Sequence, residues 1–267
     1  MLVFDPGVRV AGIDVRWESI ALAAVVLLAL ALWVRALGTG GGAPSWMDIG
    51  LVLGAAAVGA IVGGRLVHVL DFLDAYAADP VAAVDLGRGS ASLVGAVLGG
   101  IVAGGCAGML LGVPAGAWGD AAAVPLLVAI GGGKLAQLLG GAGLGAPWDG
   151  AWSIAYGGEG PWRSVEPWIA AWPSQALEGG WTLLGIPIVL LADSRMAGGP
   201  NTGRGLLLLS AVAWWLAGRA VIAMTWRDAP ALGPIGPEGL ATILALALVA
   251  LAALLILRHP PRAAAPA

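Results

Sequence analysis

The chain has 267 residues, 59% hydrophobic and 11% charged, and its thirteen Lys and Arg against sixteen Asp and Glu leave a formal net charge of -3. Apolar runs of about 18 residues or more must face lipid or one another, which excludes an ordinary soluble domain and a disordered chain, while the acidic balance excludes nucleic acid as a partner. Cysteine occurs once, at Cys106, and histidine only at His68 and His259, so no intrachain disulfide, Cys- or His-rich metal site or resident cofactor is expected.

In chain order the apolar runs predict seven spans, near Ser19 to Leu37, Ile49 to Leu70, Ala91 to Val113, Ala121 to Leu139, Ala176 to Leu191, Arg204 to Met224 and Gly239 to Leu257. The fold class is therefore an all-α polytopic integral membrane protein, with residues 1–267 as a single transmembrane domain. The first run lacks a basic n-region and a small-residue cleavage site and reads as a retained helix. An odd number of spans puts the termini on opposite sides. Arg35, Arg195, Arg204, Arg258 and Arg262 on one side face Arg9, Arg16, Arg88, Arg163 and Arg227 on the other, which balances the positive-inside rule. The acid-free tail Arg258 to Ala267 tips it towards a cytoplasmic C-terminus.

Spans two and three carry Gly59/Gly63, Gly95/Gly99 and Gly100/Gly104 at four-residue spacing, a pattern that lets helices pack closely. Between spans four and five lies the one long connection, residues 140–175, with Pro147, Pro161, Pro167 and Pro173 and five tryptophans, Trp148, Trp152, Trp162, Trp168 and Trp172. Indoles favour the headgroup level, so this segment is expected to form an interfacial cap.

Three cations fall inside spans: Arg65 in span two, Lys134 in span four and Arg219 in span six. A cation at membrane depth costs about 3 kcal/mol even on lenient insertion scales, so all three should turn inward and meet an anion. Glu178, Asp71 and Asp74 are the nearest carboxylates in sequence. A phosphate would accept from two arginines and a lysine at once, and in a membrane the commonest phosphate is an anionic phospholipid headgroup. The alternative for each cation is snorkelling, or pairing with Glu178 or a helix carbonyl. His68, three residues after Arg65, shares its helix face; a lone imidazole of this kind is either packed or a base.

The stretch from Gly133 to Pro147, with Lys134, Gln137, Gly140, Ala142 and Gly145, resembles the Gly-Arg-x-Gly-Asn-Phe-x-Asn-x-Glu-x-x-Gly-x-Pro signature of bacterial prolipoprotein diacylglyceryl transferases, without a gap. Asp5 and Pro6, Arg16 and Trp17, Gly63 to Leu66, Ser92 to Gly100, Trp172 to Glu178, Gly218 with Arg219, and Arg227 with Asp228 resemble further family motifs in the same order, so the likeness covers nearly the whole chain. The family moves a diacylglyceryl group from phosphatidylglycerol to a lipobox cysteine thiol of a prolipoprotein and releases glycerol phosphate. The resemblance implies a multi-pass protein of the bacterial inner membrane, whose partners are that phospholipid and a prolipoprotein signal peptide. It fixes no oligomeric state.

Carried over residue by residue, the resemblance gives Arg65, Lys134 and Arg219 to the donor phosphate and Gln137, Gly145, Ser174, Gln175 and Glu178 to polar or backbone contacts. The family's histidine in span three falls on Val94, its signature asparagines on Gln137 and Gly140, its glutamate on Ala142, its tyrosine after Trp17 on Glu18, and its other histidine on Trp172. A base is still needed to make the thiolate; His68 and Glu18 are the candidates. Two readings follow, an active transferase with a rebuilt site and a catalytically silent paralogue that keeps the lipid-binding cavity. A small transporter or channel has only the intramembrane cations in its favour, without a visible internal repeat.

Overall fold

The computed structural model describes residues 1–4, 7–38, 45–85, 91–141, 143–157, 168–199 and 202–258. Asp5, Pro6, Arg88, Ala142, Pro161, Trp162, Arg163, Pro167, His259 and Arg262 lie outside the described residues. Seven helices are long and apolar enough to cross a membrane, as the apolar runs predict: α1 (Trp17–Gly38), α2 (Trp46–Asp71), α4 (Leu93–Leu110), α5 (Ala115–Gly140), α6 (Ser174–Met196), α7 (Leu206–Ile222) and α8 (Pro237–Arg258). A short α3 (Leu73–Ala78) and a 3-10 turn (Pro80–Ala83) follow α2, and a second 3-10 turn (Ala223–Thr225) extends α7.

Two boundaries differ instructively from the apolar runs. α5 begins six residues earlier than expected, because Asp120, which interrupts the run, is a helix residue with a partner. Its carboxylate accepts the N–H groups of Gly205 at 3.1 Å and Leu207 at 2.8 Å, capping the first turn of α7 from a neighbouring helix. α8 begins at Pro237, which brings Glu238 into its first turn.

Strands add to the helices at the N-terminal side, where apolar runs give no signal because each strand has three or four residues. β1 (Leu2–Phe4) pairs in parallel with β4 (Ile154–Tyr156), and β2 (Gly7–Val10) forms a hairpin with β3 (Ile13–Arg16). Ile154 also exchanges backbone hydrogen bonds with Ala171, and Trp148 stacks on Trp172 with ring centroids 3.8 Å apart. The described parts of the connection between α5 and α6 thus form a platform that ties the first residues of the chain to the signature region.

α2 and α4 meet through their glycines. A Cβ on Gly59 or Gly63 would overlap the carbonyl of Gly99 or Gly95, and the reverse substitutions would overlap Gly63 and Gly59. Only glycine at all four positions lets the two backbones approach so closely. Alternation of the spans places the strands, α3, the platform and the α7–α8 connection at one end of the bundle, here the strand end, and Arg258 at the other.

Candidate functional site

Lys134, Glu178, Arg219 and Glu238 come from four helices, and each lies within about two turns of the strand end. Glu178, 1% exposed, is the hub. Its Oε1 accepts from Arg219 Nη1 at 2.6 Å and from the Trp215 indole N–H at 3.0 Å, and its Oε2 lies 3.1 Å from Lys134 Nζ. Arg219, 2% exposed, also donates through Nη2 to Glu238, while its Nε is buried without a partner among the described residues. The guanidinium carbon sits 4.4 Å from the Trp226 ring centroid and 5.7 Å from that of Trp215, so indole faces cover the cation.

Two of the three cations at depth therefore already hold carboxylates. The second carboxylate, Glu238, does not stand out in the sequence, because the apolar run of span seven starts one residue after it. Its signal in the sequence is an acid in the first turn of a helix, where the macrodipole favours it. Glu238 also acts electrostatically on His68, Asp71 and Asp228, so the end of α2 and the α7–α8 connection converge on the same corner. Burial, then the charge of Glu238, pushes the Asp228 carboxyl above its ordinary range, with Arg219 opposing.

Arg65 lies apart from the quartet. Its Nε donates to the Ala83 carbonyl at 2.8 Å and its Nη2 to that of Ala82, with the guanidinium 5.2 Å from the Tyr76 ring centroid. It ties α2 to the turn after α3. His68 packs against Phe72 and Tyr76, with ring centroids 4.8 Å and 5.9 Å away.

The signature segment folds over the cluster. Gly145 donates its N–H to Trp172 O at 3.1 Å and accepts from Arg227 Nε at 2.6 Å, and Ala146 donates to Thr225 O at 2.7 Å. A Cβ at Gly145 would lie 2.6 Å from the Trp172 Cβ and 2.7 Å from the Thr225 carbonyl oxygen, which explains the glycine. The Ser174 hydroxyl bonds that of Thr225 at 2.7 Å. Gln137 and the buried Gln175 both flank Gly143. Val94, where the resemblance expects histidine, is 1% exposed in an apolar cluster with Leu127, Ile130 and Trp215.

Glu18 stands against α5 at Gly140, beyond Lys134 on that helix. It pairs with Arg16 and fills the space that a side chain on Gly140 would need. Next to it, the fully buried Tyr156 donates its hydroxyl to the Leu138 carbonyl, and burial, then the Glu18 charge, raises the phenol above its ordinary range.

An apolar cavity of about 580 Å³ runs between α1, α2, α4 and α5, lined by Val26, Trp33, Val52, Ile101, Trp118 and Ile130 among others. Ile130, on its wall, lies one turn before Lys134 on α5. Among the described residues no group of three His, Cys, Asp or Glu is arranged to hold a metal ion.

These features define a multi-pass membrane protein with a buried ion-pair cluster and an apolar cavity between its helices. A family model described as prolipoprotein diacylglyceryl transferase matches residues 7–258. The chain belongs to that family, as the resemblance of its motifs implies. Comparison with curated proteins finds no match to the chain.

Proposed function

We propose that the protein takes phosphatidylglycerol from the bacterial inner membrane, seats acyl chain in the apolar cavity and phosphate at the Lys134 and Arg219 end, and moves the diacylglyceryl group to a lipobox cysteine of a prolipoprotein. The observation that carries this reading is the cavity wall at Ile130, one turn from Lys134. Such an arrangement suits a ligand with apolar tails and an anionic head.

In the transfer, the cysteine thiolate forms a bond to the glyceryl carbon, the carbon to phosphate-oxygen bond breaks, and glycerol phosphate leaves with the electron pair. Arg219 and Lys134 offset the charge that develops on the leaving phosphate. Gln137 and Gln175, with Ser174 and the Gly145 backbone, shape the wall beside it. The thiol proton goes to a base, and His68 is the better of the two candidates, because Glu18 is already engaged by Arg16. The strand end faces outward and the tail after Arg258 is cytoplasmic; reporter fusions at each terminus test this orientation.

Incubation with phosphatidylglycerol and a lipobox peptide should add diacylglyceryl mass to the cysteine. Arg219→Ala should abolish lipid retention, and retention unchanged in that variant removes the phosphate seat. The second reading, a silent paralogue that binds lipid without turnover, draws on Val94, whose burial leaves no imidazole where the family has one. Retained lipid without peptide product favours it.

A further inference from the structure

Arg219 holds its two carboxylates very differently. Glu178 is buried to 1% side-chain exposure and accepts from Arg219, Trp215 and Lys134 at once. Glu238 is 27% exposed, and among the described residues its carboxylate meets Arg219 alone of the quartet. One carboxylate is fixed by three donors and the other is held by one.

The guanidinium adds an independent point. Nε and one terminal nitrogen form one edge of the arginine fork, the edge that takes an oxyanion with two parallel hydrogen bonds. Glu238 takes Nη2, yet Nε is buried and has no partner among the described residues. A phosphodiester, with two unbridged oxygens, fills both prongs of an edge. Glu238 sits in the first turn of α8 with its side chain 27% exposed, so it can swing off Arg219 by a rotamer change without a shift of the helix.

We infer that Glu238 is an exchangeable stand-in for the phosphate: it holds Nη2 of Arg219 and is displaced when a phosphodiester headgroup takes the Nε and Nη2 edge. This rests on the reading that Arg219 meets the donor phosphate. Glu238 thereby sets the affinity of the site, because every lipid must first compete it away, whereas Glu178 remains as the permanent counterion that keeps Arg219 oriented.

The test uses the full-length protein in phosphatidylcholine nanodiscs doped with phosphatidylglycerol, quantifying retained phosphatidylglycerol for wild type, Glu238→Gln, and Glu238→Gln combined with Arg219→Gln. Removal of the internal competitor is expected to raise retention by about tenfold, and the gain should vanish in the double variant. A purely structural ion pair predicts the opposite, a loss of both thermal stability and lipid. Should Glu238→Gln not accumulate, Glu238→Asp, too short to reach the same edge, is expected to show the same gain. Soluble glycerol phosphate as competitor separates two sources of the phosphate: competition that strengthens in Glu238→Gln supports exchange with a solution anion, and gain confined to the lipid supports exchange with a headgroup. Unchanged retention in Glu238→Gln, or a gain that survives without Arg219, overturns the exchange while leaving lipid binding in place. Absence of phosphatidylglycerol from wild type and variant alike overturns the exchange together with the donor reading.

Discussion

Trp181 on α6 and Trp214 on α7 stack with ring centroids 4.3 Å apart, and each indole N–H donates to the other's backbone carbonyl, at 2.8 Å and 2.9 Å. The pair clamps the two helices that carry Glu178 and Arg219. Glycine makes it possible, since a Cβ on Gly218 would overlap the Trp181 ring and one on Gly185 the Trp214 ring. Trp214→Ala removes the stack, one N–H donor and the filling of the seam, and should cost about 3 kcal/mol, read as a lowered unfolding midpoint in detergent. Gly218→Val should lower it as well, by overpacking. An unshifted midpoint in both would show that the clamp contributes nothing.

The α2 and α4 seam is expected to be less forgiving. Gly95→Leu must push the helices apart, because a first carbon there already overlaps the Gly63 carbonyl. Loss of monodisperse protein after detergent extraction is the expected result. Gly105, with nothing within 4 Å of an added Cβ, serves as the control, and Gly105→Ala should behave like wild type.

Glu178→Gln leaves Lys134 and Arg219 facing one another without their hub. Breaking a buried pair in this way should cost about 3 to 5 kcal/mol. Lys134→Met added to it removes the cation that has lost its carboxylate and should recover part of the loss, so that the double variant is more stable than the sum of the singles predicts. Strict additivity in the unfolding free energies would show that the three groups do not act together.

Asp228 gives a pH signature. Its folded carboxyl is raised by burial and by Glu238, so the fold favours the protonated form. The contribution of this group is fully present below the ordinary carboxylate range and is lost as pH rises through the raised value. Asp228→Asn should keep the neutral form at every pH, raise the unfolding midpoint near neutrality, and flatten its fall between acid and neutral pH. A profile with the same slope as wild type would assign that slope to other groups.

Much of the scaffold was legible before any coordinates. Seven spans follow from run length alone, since lipid leaves a backbone of about 20 apolar residues little choice but helix. The four-residue glycine spacing in spans two and three announces a close seam, and the cations at depth announce an inward face. The motifs from Gly133 to Pro147 and around Arg219 point to the family that the whole-chain match shows.

The site was legible only in part, because run length hides residues that interrupt an apolar stretch for a reason. Asp120 reads as the end of a span until the first turn of α7 is seen to need its oxygens. Glu238 reads as a loop residue until it meets Arg219, nineteen positions away and on another helix.

The sequence alone determined the membrane class, the number of spans and the charges that need partners, because hydrophobic length and charge burial are local costs each segment carries by itself. Only the tertiary structure decided which partner each charge has: Arg65 takes backbone carbonyls, while Lys134 and Arg219 share Glu178, and Arg219 alone takes Glu238 as well. Pairing is decided by where helix ends meet, and that meeting is set by glycine seams and stacked indoles whose geometry no single segment contains.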